Sequence, residues 1–392
     1  MKYIMRFNQI LAAVSLIAVS GSAYSQIDIT NVVVVPGNTR PIYVSMSGFT
    51  GEAAQVLQFD LYVQGFAFTN AAAAQYLISG SNDGNLQGKV TDPHNKSTLV
   101  PLKSYSGVAL RRQAHAFADD FVQALGRKPI ALTKVAFKAE SNRRSEIYIA
   151  DFDTHNAQPV TQDASIVAAP CWVSGRMALY YVSYKLDNPS IFYHNLSSGE
   201  RKAFARYNGS NFSPAVSPDG RKVAMILDKD GWTDLYVSNS DGTDLRRLTK
   251  SRQDESSPCW SPDSKWICYA SKEKERRALS KISVSGGEPQ RIATAGVLSP
   301  TEPDWSPDGK WIAFTSQGGG FSICVVPATG GTATVLVAGE DPSWAPNSRT
   351  LIYGRRLGGR YTLSLLDVPT KQYKDVSRIS GISSQSQPSW AK

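Results

Sequence analysis

Histidine is the side chain that most often transfers protons near neutral pH, and this sequence holds four of them. His94, His115, His155 and His194 lie far apart in the sequence. No Gly-x-Ser-x-Gly nucleophile motif and no phosphate-binding P-loop accompanies them. The residues therefore predict no catalytic site, no metal site and no cofactor.

The run from Asp228 to Asp234 is the best candidate for a metal loop, because its carboxylates alternate as they do in calcium sites. It lacks the remaining ligands and the closing glutamate of such a loop. Asp230-Gly231 is also a strong hairpin signal. We therefore interpret the run as a turn between two strands.

His115 falls within a predicted helix that begins at Leu110 and stops at Gly126 and Pro129. Leu110, Ala114, Phe117, Phe121 and Leu125 recur at steps of four and three and line one face. The histidine lies one position past that face. We expect a solvated or half-buried side chain and no ligand role.

One segment recurs along the C-terminal two-thirds of the chain, and its spacing defines the repeat unit of the fold. Its clearest copy is Trp305-Ser306-Pro307-Asp308-Gly309, followed by the apolar run Trp311 to Phe314. The first prolines of six copies are separated by 44, 44, 45, 39 and 46 residues, which is the length of a four-stranded propeller blade. These prolines are Pro170, Pro214, Pro258, Pro303, Pro342 and Pro388. The repeat predicts an all-β six-bladed β-propeller.

The repeated motif is a tight turn between two strands, since proline presets φ, aspartate bonds to its own backbone and glycine accepts a positive φ. The repeated tryptophans are expected to pack between blades. The last copy holds a single strand, so we expect residues from about Thr133 to Pro159 to complete the blade begun at Pro388. Pairing strands from both ends of the propeller in this way would close the ring.

The first 25 residues have the order of a secretory signal peptide, with Lys2 and Arg6, an apolar run from Ile10 to Val19, and small residues up to Ser25. The apolar run is shorter than the about 20 residues needed to span a bilayer. Removing residues 1–25 lowers the formal charge from +9 to +7. The basic residues are dispersed, which argues against nucleic-acid binding. We expect an exported, soluble, periplasmic product.

Four cysteines, Cys171, Cys259, Cys268 and Cys324, lie in the repeats. Cys268 occupies the position of Ala224 and Ala313 in sister copies, so a small buried hydrophobic residue is the favoured interpretation. Cys259 and Cys268 flank one hairpin turn, however, and an oxidising compartment would permit a bond between them. Both alternatives stay open.

Residues 26–130 read as an α/β domain ahead of the propeller at 131–392. Residues Glu52 to Gln64 are expected to form a helix that stops at Gly65. Segments that alternate like strands begin at Arg40, Gln75, Asn85 and Ser97. Together with the Leu110 helix they predict a mixed sheet with two helices.

This order of parts resembles the TolB family of the periplasmic Tol-Pal envelope system. The resemblance covers essentially the whole chain and rests on Arg40-Pro41-Ile42, the Leu110-Arg111 helix ending at Gly126, and the single-stranded last repeat. It implies a non-enzymatic monomer, peripheral to the membrane, that supports outer-membrane integrity and envelope constriction during cell division.

In that family the propeller mouth binds the lipoprotein Pal through loops just before the repeated proline. The expected partner face here gathers residues from four such loops, which lie on one side of the ring. They are Ser210, Asn211, Ser213, Arg252, Ser256, Ser257, Thr301, Glu302 and Asp341. The chain departs from the family in these loops. The family often has His and Ala in the first loop and Thr and Glu in the second, whereas this chain has serines.

The family's N-terminal segment binds TolA, and the matching residues here are Gln26, Ile27, Asp28, Ile29 and Thr30, within a segment 26–36 expected to be mobile. Other outer-membrane or peptidoglycan-associated proteins are further expected partners. Two alternatives remain at this point. One is an exported propeller enzyme, a sugar lyase or lactonase, and the other is a propeller scaffold with an unrelated partner.

Overall fold

The computed structural model describes residues 36–141 and 144–392. Its N-terminal part is a five-stranded mixed sheet with the order β2-β1-β3-β4-β5, in which β1 runs parallel to β2 and β3. The elements are β1 (Ile42–Ser47), α1 (Gly51–Tyr62), β2 (Phe66–Phe68), β3 (Tyr76–Ser81), β4 (Leu86–Asp92), β5 (Ser97–Tyr105) and α2 (Leu110–Ala124). No helix in this described part of the chain is long and apolar enough to cross a membrane.

The sheet forms because its strands alternate buried and exposed residues, as in β4, where Leu86, Gly88 and Val90 face inward. α2 covers the sheet with the apolar face predicted from its spacing: Phe117 and Phe121 are almost fully buried. Gly88 is required there, because a Cβ would lie 2.5 Å from the Phe117 ring. Both predicted helices are confirmed.

Six four-stranded sheets follow, and their number and length confirm the six-bladed propeller. Three strands come first: β6 (Lys134–Ser141), β7 (Arg144–Asp151) and β8 (Gln158–Pro159). Blade 1 has β9 (Val167–Trp172), β10 (Ala178–Ser183), β11 (Ser190–Asn195) and β12 (Arg201–Ala205). Blade 2 has β13 (Asn211–Val216), β14 (Lys222–Leu227), β15 (Asp234–Asn239) and β16 (Arg246–Arg247). Blade 3 has β17 (Glu255–Trp260), β18 (Trp266–Glu273), β19 (Arg276–Ser283) and β20 (Gln290–Ile292).

After the short β21 (Thr294–Ala295), blade 4 has β22 (Pro300–Trp305), β23 (Trp311–Ser316), β24 (Ser322–Pro327) and β26 (Thr334–Ala338). A short strand, β25 (Gly331–Thr332), pairs with β21. Blade 5 has β27 (Glu340–Trp344), β28 (Thr350–Leu357), β29 (Arg360–Asp367) and β30 (Tyr373–Asp375). The chain ends with β31 (Ser384–Trp390), the inner strand of blade 6.

Blade 6 has the order β31-β6-β7-β8, so it combines strands from both ends of the propeller sequence. Trp390 lies opposite Val135, and Lys134 to Ser141 pairs in turn with Arg144 to Asp151. The predicted closure of the ring is confirmed. Among the residues that the structure describes, the first and last sheets of the ring therefore meet without an open blade edge between them.

The repeated Ser-Pro-Asp turn is held by its serine. In blade 4 the Ser306 hydroxyl donates to Asp308 Oδ1 at 2.6 Å and accepts from Trp311 N at 2.9 Å. Gly309 has φ +76°, the left-handed conformation that the motif predicts. The turns of blades 2 and 3 make the same bonds. The predicted Asp230-Gly231 hairpin is also confirmed, because Leu227 pairs with Asp234 across it.

Neighbouring blades are joined at the residue after the repeated proline. Asp304 Oδ2 accepts from the backbone N of Trp344 in the next blade at 2.7 Å. Ser343 Oγ accepts from Trp390 N at 3.1 Å, and Ser389 Oγ accepts from Trp172 N at 3.3 Å. The tryptophans themselves are buried between blades, as expected, with at most 7% of their surface exposed.

The α/β part contacts the turn end of blades 5 and 6. Thr350 Oγ1 donates to Val63 O at 3.3 Å, and the Phe59 and Phe152 rings meet edge to face at 6.0 Å. Beside them His115 is 3% exposed and its Nδ1 lies 2.7 Å from Asp60 Oδ2. The expectation of a solvated or half-buried histidine is therefore wrong. The propeller supplies the reason, because Phe152 and Asp153 cover the ring.

Candidate functional site

Each inner strand runs from an open end of the ring to the opposite end, where blades 2, 3 and 4 carry the Ser-Pro-Asp turn. Each of the six inner strands is interrupted by a β-bulge. The bulge shifts the pairing register on both sides of the residue before the repeated proline, as between Ser256 and Cys259 in blade 3. All six of these residues have a positive φ, from +47° to +53°. They are Ala169, Ser213, Ser257, Glu302, Asp341 and Gln387. We call this set the bulge ring.

The bulge ring lines a central channel with a volume of about 510 Å³. The loops before the inner strands and the hairpins after the second strands surround its open end, which we call the mouth. The α/β part lies at the other end, against turns such as the one that precedes Thr350. Within the described ranges, the mouth is left uncovered.

The channel is acidic on the side of blades 4 and 5. Glu302 Oε2 accepts from Thr315 Oγ1 at 2.7 Å and from Asp341 N at 3.1 Å. Burial and the neighbouring Glu302 and Glu340 carboxylates raise the pKa of Asp341 well above its usual range. Asp341 therefore holds its proton more firmly than an exposed aspartate, which reduces the repulsion between these groups.

The opposite side of the ring is small and neutral. Ser213 and Ser257 are half-buried there, and Gln387 Oε1 accepts from Ala169 N at 3.0 Å. Deeper in the channel Lys392 Nζ bonds to Asp304 Oδ2 at 2.6 Å. The arrangement offers hydroxyls and carboxylates to an incoming polar segment, and it leaves space for backbone.

The mouth also carries exposed apolar side chains. Trp232 and Phe321, at the tips of the hairpins after β14 and β23, are 45% and 47% exposed. Ile166 and Leu298, in the loops before β9 and β22, are 47% and 51% exposed. Large exposed apolar residues around a concave polar centre are typical of protein-binding surfaces.

The structure separates the residues that sequence reasoning placed at this face. Ser213, Ser257, Glu302 and Asp341 come together on the bulge ring, whereas Arg252 is exposed on the loop before β17. The Ser256 hydroxyl accepts from Arg277 Nη1 at 3.0 Å. Ser210 is half-buried beside Asp228, and Thr301 is buried at 5% exposure.

Asn211 has no exposed surface, which removes its side chain from the partner face predicted for it. Its amide donates to Pro189 O and Tyr207 O, both at 3.1 Å, and its Oδ1 accepts from Tyr207 N at 2.9 Å. The side chain is therefore fully used in holding the loop before β13. Burial corrects the sequence expectation for this residue.

Sequence reasoning missed Ala169 and Gln387, although each precedes a repeated proline and could have been found by that rule. It also missed Glu255, which has no counterpart in the repeat. The expected TolA-binding residues Gln26 to Thr30 lie outside the described residues.

The groups that most often carry catalysis have these positions relative to the channel. None of the four histidines lines it. Among the described residues, no group of three or more His, Cys, Asp or Glu side chains could hold a metal ion. The four cysteines are free thiols, and Cys259 lies directly opposite Cys268. Burial raises the pKa of the Cys259 thiol, which makes it a poor nucleophile.

Comparisons with known proteins give a consistent result. The chain is 28% identical to the Tol-Pal system protein TolB of Bordetella pertussis, over 79% of this chain and 74% of that protein. The TolB of Bordetella bronchiseptica matches to the same extent, with 73% of its length covered. Among solved structures, TolB from Acinetobacter baumannii superposes with a TM-score of 0.80 at 20% identity, over 91% of this chain and 98% of that one.

A family model described as the TolB beta propeller domain matches residues 122–392, which is more than half of the chain. The matched region includes all six blades, the bulge ring and the channel. The chain belongs to the TolB β-propeller family.

Proposed function

We propose that the chain is a non-enzymatic periplasmic component of the Tol-Pal system that binds Pal at the mouth of its propeller and TolA through its N-terminal segment. In this role it would link the outer-membrane lipoprotein to the inner membrane, and so support envelope integrity and constriction during division. The relatives named Tol-Pal system protein TolB support the assignment.

The observation that carries the Pal proposal is the bulge ring at an uncovered mouth. Six bulges turn the residue before each proline toward the channel, and three of the six are the small residues Ala169, Ser213 and Ser257. A partner segment that enters there meets hydroxyls on one side and the Glu302 and Asp341 carboxyl groups on the other. The apolar rim at Trp232 and Phe321 supplies contact area outside the ring.

Arg252 belongs to the same proposed surface. It is exposed, has φ +57°, and stands on the loop that leads into blade 3. A guanidinium binds a carboxylate through two parallel hydrogen bonds, which lysine cannot form. We assign Arg252 to an acidic group of the partner, and we leave Asn211 out of the face because it is buried.

Calorimetry with the purified chain and the soluble domain of Pal tests this function. We expect a one-to-one complex that forms with the full chain and is blocked by bulky substitutions in the bulge ring. A pull-down from envelope extract gives an independent measurement. If neither experiment detects a complex, the proposal that the chain binds Pal is wrong.

The TolA proposal concerns residues 26–36 and rests on sequence. Ile27 and Ile29 alternate with Asp28 and Thr30, as required for a strand added to a partner's sheet edge. Deleting the segment should abolish TolA binding and leave the melting temperature nearly unchanged. TolA binding retained by the deletion variant would contradict this assignment.

Export and domain organisation complete the proposal. We assign residues 1–25 to a signal peptide, 26–130 to the α/β domain and 131–392 to the propeller. Mass spectrometry of the periplasmic protein should give a mature start at Gln26 or Tyr24. An intact Met1 would contradict export through this signal.

A further inference from the structure

A second cavity, with a volume of about 300 Å³, opens beside the channel at the mouth. Its large apolar side chains come from two blades: Val182 and Tyr184 from blade 1, and Phe212 and Ile226 from blade 2. Glu255 of blade 3 also lines it. A carboxyl group in an apolar cavity is unusual, because burial of its charge is costly without a partner.

Glu255 is 3% exposed and only half satisfied. Its Oε1 accepts from Ser251 Oγ at 2.5 Å, and the Thr249 hydroxyl lies near the carboxyl group but donates to Asp234 Oδ1 at 3.4 Å. Oε2 has no hydrogen-bond partner among the described residues. Its backbone N donates to Thr233 O at 3.0 Å, which holds the start of β17 in place. The carboxyl group is therefore positioned, buried and short of one donor.

Nearby cations do not supply that donor. Arg247 forms an ion pair with Asp234, and Arg277 Nη1 donates to Ser256 Oγ at 3.0 Å. Burial raises the pKa of Glu255 to about 7, with the Asp234 charge adding to the shift and with Ser251, Thr249 and Arg247 opposing it. A donor that arrives with a partner would relieve the cost of this buried carboxyl group.

We infer that this cavity receives one lysine side chain of the protein that docks on the mouth, with its methylene groups against Val182, Phe212 and Ile226 and its ammonium group on Glu255 Oε2. The inference rests on the proposed Pal-binding function. It adds a specificity site beside the channel, which the bulge ring alone does not contain.

The chemistry of the cavity favours lysine over other side chains. A carboxylate would be repelled by Glu255, and an apolar side chain would leave Oε2 unpaired. A guanidinium has five N–H donors to satisfy. Besides the carboxylate, the cavity is lined by the polar side chains of Ser213, Thr233, Ser256 and Gln387, and the last two already accept hydrogen bonds from Arg277 and from Ala169 N. Thr233 Oγ1 donates to Asp254 Oδ1 at 3.1 Å and keeps its lone pairs. An ammonium group with three donors fits this set.

The test is a double-mutant cycle on the complex with the soluble domain of Pal. Glu255→Gln keeps the shape of the side chain and the acceptor for Ser251, and it removes the charge. We expect it to weaken Pal binding by about tenfold or more. Each lysine of Pal is replaced by methionine in turn. One of these replacements should weaken binding to the parent chain by a similar factor, and it should hardly change binding to the Glu255→Gln variant.

Asp254→Asn is the matched control, since it removes one negative charge from the adjacent, exposed residue. It should change the affinity by less than about twofold. A pH series adds a second readout: between pH 6 and 8 the affinity of the parent should rise relative to Glu255→Gln as Glu255 loses its proton. Thermal melting verifies that both variants are folded.

The outcomes separate this inference from the function on which it rests. Suppose that the parent binds Pal, but that Glu255→Gln binds equally well or that no Pal lysine is coupled to Glu255. The proposed lysine site is then refuted, and the Pal-binding function stands. If the parent does not bind Pal, both fail. Coupling between Glu255 and a single lysine supports both.

Discussion

Trp390 lies opposite Val135 in an antiparallel ladder, although 254 residues separate them in the chain. The Trp390 indole also donates to Thr133 Oγ1 at 2.8 Å, and its backbone N donates to Ser343 of blade 5. One residue thus joins the first propeller strand, the last propeller strand and the neighbouring blade. Closure of the ring depends on this contact.

Trp390→Ala should therefore reduce the free energy of unfolding by about 3–5 kcal/mol. The substitution opens a cavity where the first and last strands of the propeller pair, and it removes the packing of the indole against both. Urea unfolding measures the change. Trp232→Ala is the matched control: that indole is 45% exposed at a hairpin tip and should cost less than about 0.5 kcal/mol. A loss below about 1 kcal/mol for Trp390→Ala would contradict the closure argument.

Ser257→Arg should abolish Pal binding without unfolding the protein. The serine is half-buried on the bulge ring at φ +52°, so a long cationic side chain there projects into the channel and fills the space for a partner. We expect a loss of affinity of at least about 100-fold by calorimetry, with a nearly unchanged melting temperature.

Two further variants separate binding from folding. Ser285→Arg places the same side chain on an exposed turn at the other end of blade 3 and should bind Pal like the parent. Trp260→Ala, three residues after Ser257, should lower stability by about 3–5 kcal/mol, because the indole is 6% exposed and donates to Ala215 O at 2.8 Å. Normal Pal binding by Ser257→Arg would exclude the mouth as the interface.

The blades and their closure could be predicted because their signals are local. The Ser306-Pro307-Asp308 turn and the apolar strand after it lie within ten residues, and each copy repeats the pattern. Local backbone preference and strand alternation were enough to identify six blades and the two helices.

The site could be predicted only in part, because its decisive features are not local. The bulge ring places residues such as Ser257 at positive φ without a glycine to mark them. The buried Asn211 amide donates to backbone carbonyls that include that of Pro189. The buried His115 ring lies against the Asp60 carboxyl group and against Asp153 of the propeller. These partners become neighbours only once the fold has formed.

Asp304→Ala should destabilise the propeller more than the corresponding change in another blade. Its carboxylate accepts from Trp344 N at 2.7 Å, a charge-assisted bond, and the loss should cost about 1.5–3 kcal/mol. Ser389→Ala removes a neutral acceptor 3.3 Å from Trp172 N and should cost about 1 kcal/mol. Lys392→Met removes the ion pair with Asp304 and leaves the link between blades, so less than about 1 kcal/mol is expected. Equal losses for all three would refute this ranking.

The His115–Asp60 pair should make stability fall as the pH rises. Burial lowers the pKa of His115, but the Asp60 hydrogen bond and the Asp60 and Asp153 charges outweigh it and raise the pKa. Burial raises the pKa of Asp60 to about 6, against the effect of His115. Both groups bind protons more tightly in the folded chain, so their contribution is greatest at low pH. It is lost as the pH rises through their folded pKa values.

His115→Gln tests this sign, because glutamine keeps a donor for Asp60 and cannot be protonated. Above pH 6.5 the parent should lose unfolding free energy as His115 loses its proton. The variant lacks that titration, but the pKa of Asp60 rises further without the histidine, so the stability of the variant should still fall with pH as the buried Asp60 loses its proton. Near pH 6 the variant should be less stable than the parent, since the buried Asp60 has lost its cationic partner. His94→Gln, on an exposed turn, is the control and should follow the parent at every pH. A parent whose stability rises between pH 6.5 and 8, or a His115→Gln variant as stable as the parent near pH 6, would show that this pair does not control the junction between the α/β part and the propeller.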